Sequence, residues 1–415
     1  MMINRAIINF DKSILDQIHN RSLELLQDCG IRFPSEKALE VFRSKGFRAN
    51  GQTVYFEEKA IIDALGTVPA QFTIKARNPE KSICIGGGDY MMAPGYGPPF
   101  IIETTGEKRD ATLEDVHKFC KLVQTSKCLD FNSSIVVQPN DVPTETAHLD
   151  ILLGTILLTD KPLMGSTSSE VAALDSLRLA EKIWGNTNDP VMISLVDSLS
   201  PLQYADESVE SLMVYAKAGQ PVVVHSACSL GTTGPITIAG SLVISNATTL
   251  AGICLSQLLN PGTPIVYGLG GSPTEMRTGG YVNASPEDAK HTAIVTALAR
   301  YYGIPCRSQG ALTESFCLDY QAGMDRGVFG RGLCNGSDQG TRHIGKLPDA
   351  KPHHETVSNC ILRTRPEHPG DPYKMATDGT SRNGQTGRKN PGGQAFLLRK
   401  TGHRSNVGTG SCKIR

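Results

Sequence analysis

Apolar residues in SILDQIHNRSLELLQDCG (13–30) recur at helical spacing. Leu15, Ile18, Leu23, Leu25 and Leu26 fall near one face, and Gly30 closes the run as a residue just past a helix should. Shorter helices are predicted at 36–45 and 57–66, and strands at 71–76 and 82–86. GGGDYMMAPGYGPPF (86–100) is a glycine- and proline-rich loop. From about residue 110 the rhythm changes. ATLEDVHKFCKLVQTS predicts a helix with Thr112 as its cap and Asp115 in its first turn. Apolar, β-branched runs then alternate with helices. The strand candidates are 131–137, 162–166, 191–196, 221–226, 264–268 and 304–309, and the helices are 144–159, 169–183, 206–218, 235–259 and 286–302. Fully apolar strands covered by helices imply a parallel sheet.

Such units in series predict an α/β fold, a TIM (β/α)8 barrel with a helical N-terminal lead-in. A doubly wound open sheet is the alternative, but no GxGxxG follows the first strand. The expected organisation is a helical and β lead-in over 1–110, (β/α) barrel units over 111–325 and an atypical tail, frame-disrupted or disordered, over 326–415. Six units are visible by residue 322, and closing the barrel needs two more strands. The tail does not read as two strands, so closure is in doubt. Leu, Ile, Val and Phe make up about one residue in seven of 325–415, below the roughly 20% of a chain that builds a core. The bland reading of the tail is disorder, which would leave exposed barrel edges.

The 415 residues suffice for a large buried core. Net charge is zero, which argues against nucleic acid or an anionic membrane as partner. That zero hides a split: 325–415 holds 16 Lys/Arg against seven Asp/Glu, and the rest holds the opposite excess. Eleven scattered cysteines without a CxxC pair suggest a reducing cytoplasm. The N-terminus has no apolar run of signal-peptide length. The most apolar stretch, 235–259, is too polar for a membrane span and fits a buried helix.

Residues 306–325, CRSQGALTESFCLDYQAGMD, gather Glu314, Asp319 and Gln321 just beyond the last predicted strand. In that segment and before it, the chain resembles a known family. The likeness runs through LELLQDCGIRF (23–33), GPPFIIETTGEKRDATLEDV (97–116), VVQPNDVP (136–143) and SPLQYADESVESL (200–212). It continues in AGQPVVVHSA (218–227), PITIAGSLVISNATTLAGI (235–253), NPGTPIVYG (260–268), MRTG (276–279), YYGIPCRSQGALTE (301–314) and DYQAGMD (319–325). Together these resemble the trimethylamine methyltransferase family of corrinoid-dependent methyltransferases, in order over roughly three quarters of the chain.

The resemblance implies a TIM barrel that moves a methyl group from a methylated amine to the cobalt of a partner corrinoid protein. It implies no tightly bound cofactor, the cobamide being supplied by the partner, and it is compatible with a homo-oligomer. Founding members carry pyrrolysine near the segment matching 312–324, where this chain reads LTESFCLDYQAGM. The chain thus resembles the non-pyrrolysine branch, typified by glycine betaine methyltransferases. A quaternary ammonium already leaves as a neutral amine, so a quaternary amine such as a betaine is the expected substrate. After Asp325 the likeness returns only in GKLPDAK (345–351) and NPGGQAFLL (390–398). This suggests a disrupted reading frame, an idea that tail peptides with the written masses would sink.

Aromatic faces and carboxylates hold quaternary ammonium groups, and a barrel's site lies at the C-terminal strand ends. Tyr96 and Phe100 are expected to cap the pocket, against ordinary loop packing. Tyr267 is expected as a cage wall, against a core tyrosine. Arg277 suits a substrate carboxylate, against a surface pair with Glu275. His225 joins these as a substrate-binding residue at a strand end. Glu314, Asp319 and Gln321 are expected as the catalytic polar wall, though Glu314 could be a capping acid and the other two could start a helix. A zinc methyltransferase acting on a thiol is a rival, with His225, Cys228 and Cys306 as ligands, but no tight spacing supports it. A decayed, non-catalytic barrel is another.

Overall fold

A computed structural model describes residues 10–86, 91–103, 107–308, 312–315 and 319–325. The lead-in comprises α1 (Lys12–Asp28), β1 (Ile31–Arg32), α2 (Glu36–Ser44), β2 (Arg48–Asn50), β3 (Thr53–Tyr55), α3 (Glu58–Thr67) and the strands β4 (Gln71–Ile74) and β5 (Ile83–Gly86). A hairpin follows, β6 (Phe100–Ile102) with β7 (Lys108–Asp110). Next come α4 (Leu113–Thr125), α5 (Ala147–Leu158), β8 (Leu163–Met164), α6 (Glu170–Trp184), β9 (Met192–Asp197) and α7 (Asp206–Lys217). The series ends with β10 (Val222–Ala227), α8 (Ile238–Leu259), β11 (Ile265–Gly270), α9 (Pro286–Tyr302) and β12 (Cys306–Arg307).

Strands β8 to β12 pair in parallel and in chain order. A doubly wound sheet reverses its strand order at a switch point, and this sheet does not. It winds in one direction, as a (β/α) barrel does. The strands that would complete the barrel, and the tail 326–415 with its reading-frame question, lie outside the described residues.

The strands alternate between two apolar layers. Met164, Ile193, Leu195, Val223 and Val266 form the inner layer, together with Phe131. Met192, Val196, Val222, Val224, Ile265, Tyr267 and Leu269 pack against the helices. The β4–β5 hairpin adds Phe72, Ile74 and Ile83 to the inner layer. Its turn is tied to residues just before β8 and β9: Lys75 N donates to Pro190 O at 2.9 Å and Asn78 N to Asp160 O at 3.2 Å. The hairpin therefore seals the end where the strands begin, and the C-terminal strand ends form the open mouth.

One expectation gains detail and one needs correction. In the mixed helical and β lead-in, β1, β3 and β2 form an antiparallel sheet, with strands of two or three residues, too short to show an alternating pattern. Segment 131–137 is mostly buried at the first barrel position but is not a regular strand. Asn132 and Ser133 turn their side-chain oxygens on nearby backbone N–H groups, Ser133 N at 3.0 Å and Ile135 N at 3.3 Å, in competition with a ladder. The capping box at Thr112 and Asp115 forms as its sequence predicts. Helix α8 is long and apolar enough to cross a membrane, yet it packs against α1, α3, α7, β10 and β11.

Candidate active site

One row of strand residues carries the chemistry of the mouth. In the register, Asp197 of β9 stands beside His225 of β10, His225 beside Gly268 of β11, and Gly268 beside Arg307 of β12. The row continues the inward-facing phase of Leu195, Val223 and Val266, two residues further along their strands. An apolar floor therefore supports a polar row.

His225 is fixed from both sides. Its Nδ1 and the Oδ1 of Asp197 are 2.5 Å apart. Its ring fills space that two glycines leave open. A Cβ on Gly268 would lie 2.9 Å from His225 Cδ2, and one on Gly270 would lie 3.0 Å from Nε2. Burial, then the charge of Arg307, lowers the His225 pKa, and the opposing pull of Asp197 does not reverse the shift. The neutral ring thus donates its Nδ1 proton to the carboxylate, leaving Nε2 as a buried acceptor with no protein partner among the described residues. Enclosure pushes the Asp197 pKa up, but the His225 hydrogen bond and the charges of His225 and Arg307 prevail, so the net shift is downward. The Asp197 side chain is 55% exposed and that of His225 only 7%, so an ionised carboxylate opens onto the mouth.

Arg307 closes the other end of the row. Enclosure lowers its pKa, against the attraction of Asp197 and Tyr96, and the guanidinium remains charged. It makes no hydrogen bond or ion pair with any described residue.

Tyr96 reaches the mouth from the loop before β6. That loop lies along segment 130–138: Asp130 N donates to Met92 O at 2.9 Å, Gly97 N to Ile135 O at 2.8 Å and Gln138 N to Pro98 O at 3.0 Å. Ser134 Oγ donates to the Tyr96 hydroxyl at 3.4 Å. The loops after β9, β10 and β11 are joined into a rim. Ser200 Oγ donates to Thr233 O at 3.1 Å, and Leu230 N to Ser272 O at 3.1 Å.

The other expected residues do not join this row. Tyr267 is fully buried on the helix side of β11, where its hydroxyl donates to Asn246 Oδ1 at 2.7 Å. Asn246 in turn donates to Tyr302 and Ser22, so this tyrosine joins β11, α8, α9 and α1 and forms no cage wall. Phe100 sits in the β6–β7 hairpin with the Lys108 ammonium 3.6 Å from its ring centroid, so a cation already covers that face. The Arg277 side chain is 89% exposed in the loop after β11, 3.9 Å from Glu275, as the surface reading has it. Glu314 accepts from Asn283 N at 2.6 Å and ties that loop down. Asp319 accepts from Ala322 N at 2.8 Å and caps the helical turn 320–325, in which Gln321 is exposed.

The zinc trio does not converge. Cys306 faces the helices, on the opposite side of β12 from Arg307, and burial pushes its thiol up to about 12. Cys228 Sγ occupies the space where a Gly234 side chain would stand.

The profile of the trimethylamine methyltransferase (MTTB) family matches residues 4–330. The chain belongs to this family. It is 40% identical over 315 residues to glycine betaine methyltransferase of Desulfitobacterium hafniense (strain Y51), covering 75% of this chain and 66% of that protein. Proline betaine:corrinoid methyltransferase of Eubacterium limosum is 33% identical, over 78% of this chain and 70% of its own length. L-carnitine:corrinoid methyltransferase of the same organism is 32% identical, over 76% and 67%. The chain spans about two thirds of the length of these relatives.

Proposed function

We propose that the protein removes a methyl group from a quaternary amine and passes it to the cobalt of a separate corrinoid protein. The Asp197 carboxylate carries this reading: it is ionised, open to the mouth and held by His225. A quaternary ammonium cannot donate a conventional hydrogen bond, and a carboxylate beside an aromatic ring suits it. Tyr96 supplies that ring. The family match and the betaine- and carnitine-using relatives support the same chemistry.

The partner's reduced cobalt supplies an electron pair to the methyl carbon, while the C–N bonding pair stays on nitrogen and a neutral tertiary amine leaves. No proton moves in that balance. This agrees with a neutral His225 that serves to hold Asp197. The chain's contribution is then to bind the cation, turn one methyl outward and exclude water. Since the β4–β5 hairpin seals the far end, the cobalt must enter by the mouth. The protein works in the cytoplasm, holds no tightly bound cofactor of its own and meets no membrane or nucleic acid.

A visible-absorbance assay tests this. The protein is mixed with Co(I) corrinoid protein and with glycine betaine, proline betaine, carnitine or trimethylamine in turn. Methylation of cobalt from a quaternary amine and not from trimethylamine is the expected result. Folded protein that methylates cobalt from none of the four would remove the reading.

A further inference from the structure

Helix α5 has an outer face that the described residues leave bare. Every exposed residue of Ala147–Leu158 is a leucine: Leu149, Leu153 and Leu157, which are 37%, 50% and 69% exposed. Spaced four apart, they form one stripe about 12 Å long. The opposite face is already covered. Ala147 and Ile151 pack with Val136 and Val137, and Leu152 and Ile156 join the main core. Helix α6 widens the stripe with exposed Val171 and Leu174 in its first turns. His148 Nε2 and Asp175 Oδ2, 3.2 Å apart, hold it alongside α5. A contiguous apolar surface of this kind, roughly 400 Å² at these exposures, marks an interaction site.

The charges beside the stripe indicate what covers it. Helix α4 runs parallel to α5. His117 fills the space over Gly154, Cys120 Sγ lies 3.5 Å from Thr155 Oγ1, and Thr159 Oγ1 donates to Gln124 Oε1 at 2.7 Å. Lys121 follows His117 by four residues, so it lies on the α5 side of α4, level with the last turn of α5. Asp150 precedes Gly154 by four residues, so it lies on the α4 side of α5, in the first turn. Neither makes an ion pair with a described residue. Leu153 stands midway between their levels. A two-fold axis crossing α5 at Leu153 lays two such helices antiparallel. Leu153 then meets its own copy, Leu149 meets the partner's Leu157, and Asp150 meets the partner's Lys121. The face is thus self-complementary in shape and in charge, as an isologous interface requires. A membrane surface would instead call for basic residues along the polar flanks, and here acid and base alternate.

We propose that a second copy of this chain docks on this face, α5 against α5, to make a two-fold dimer. A stable dimer buries about 800 Å² of each copy, so the flanking surfaces of α4 and α6 complete the footprint. The claim concerns the outer ring of helices and stands whether or not the mouth is an amine site.

Sedimentation of the full chain, from low to high micromolar, tests it. Wild type should reach a dimer. L153E sets two carboxylates at the axis and should raise the dimer dissociation constant by about a hundredfold or more. Leu153 is half exposed, so the variant should fold, which circular dichroism checks. D150K sets like charges opposite each other and should weaken the dimer by about three- to tenfold, and D150K/K121D should recover it. L153C in oxidised glutathione should give a dimer linked through position 153 in peptide mapping. Wild type, with Cys29 and Cys128 exposed, is the control for other links.

A monomeric wild type overturns the proposal. If L153E then lowers the urea midpoint, the stripe is covered within its own chain. If it does not, the stripe serves a different protein. A dimer that tolerates L153E also overturns it, because its interface lies elsewhere. So does a D150K/K121D dimer no tighter than that of D150K, which removes the antiparallel pairing.

Discussion

Gly268 lies directly beside His225 in the paired register of β10 and β11, and the imidazole occupies the space a side chain at 268 would need. A methyl there would approach Cδ2 at 2.9 Å and the His225 Cβ at 3.3 Å. The ring cannot shift freely, because its Nδ1 is bound to Asp197 Oδ1 at 2.5 Å. G268A should therefore cost about 1–3 kcal/mol of stability as an overpacking change. It should also loosen the hold on Asp197 and weaken quaternary-amine binding. Chemical denaturation and ligand titration check both, and a variant as stable and as tight-binding as wild type would count against the packing described.

Asp197 should be required for the cation and insensitive to mild acid. D197N keeps the shape and removes the charge, so quaternary-amine affinity should fall about tenfold. The net shift lowers the Asp197 pKa below its ordinary 3.8, and that of His225 below 6.5. Neither group then changes charge between pH 7 and pH 8. Affinity for a quaternary amine should be flat there and stay flat down through 6.5. An inflection at 6.5 in a binding profile would show that His225 titrates freely and is not held as described.

Lys161 should be a large structural contributor far out of proportion to its visibility in sequence. Its buried ammonium donates to Val123 O at 2.7 Å, Ser126 O at 2.8 Å and Leu129 O at 2.6 Å. These carbonyls end α4 and lead into the segment that holds the Tyr96 loop. K161M would leave them without that donor, at a cost of roughly 3 kcal/mol or more. The urea midpoint should fall accordingly. A change within about 0.5 kcal/mol would mean that water replaces the ammonium freely.

The architecture was legible because its elements obey local rules. TLED announced the α4 cap, and the apolar runs near 191, 221 and 264 announced parallel strands. The site was less legible because it depends on strand phase. Tyr267 and Gly268 are neighbours, and one residue decides that the aromatic faces the helices while the glycine faces the mouth. Asp197 was missed because it is the first charged residue after VMISLV, just past the run that read as strand. Arg307 was passed over inside IPCRSQ, where it read as strand interior, and the more conspicuous Arg277 among glycines drew the assignment. The signal available was the pairing of acidic and basic residues with the ends of successive apolar strands. Gly268 and Gly270 of GLGG gave a second, since they leave room for a bulky ring from a neighbouring strand.

Asp288 and His291 stand one turn apart on α9, both almost fully buried, and should pull stability in opposite directions with pH. Burial raises the Asp288 carboxyl to about 7, with nearby Glu314 adding to the rise against the hydrogen bond from Ala284 N. The folded state thus keeps a proton that the unfolded chain loses above 3.8. The stabilisation from Asp288 is full below that value and is lost as pH rises through 7. Burial, then the neighbouring His225, lowers His291 to about 4. Its contribution is full above 6.5 and is lost as pH falls through 4. Between pH 4 and 6.5 the two slopes cancel, so wild type should show little pH dependence from this helix. D288N removes one slope only. Its stability relative to wild type should climb from pH 4 to pH 7, by at most about 4 kcal/mol. Urea titrations at pH 4.5, 6 and 7.5 measure the difference directly. A gap between the two proteins that stays constant across those three values would show that Asp288 is ionised throughout.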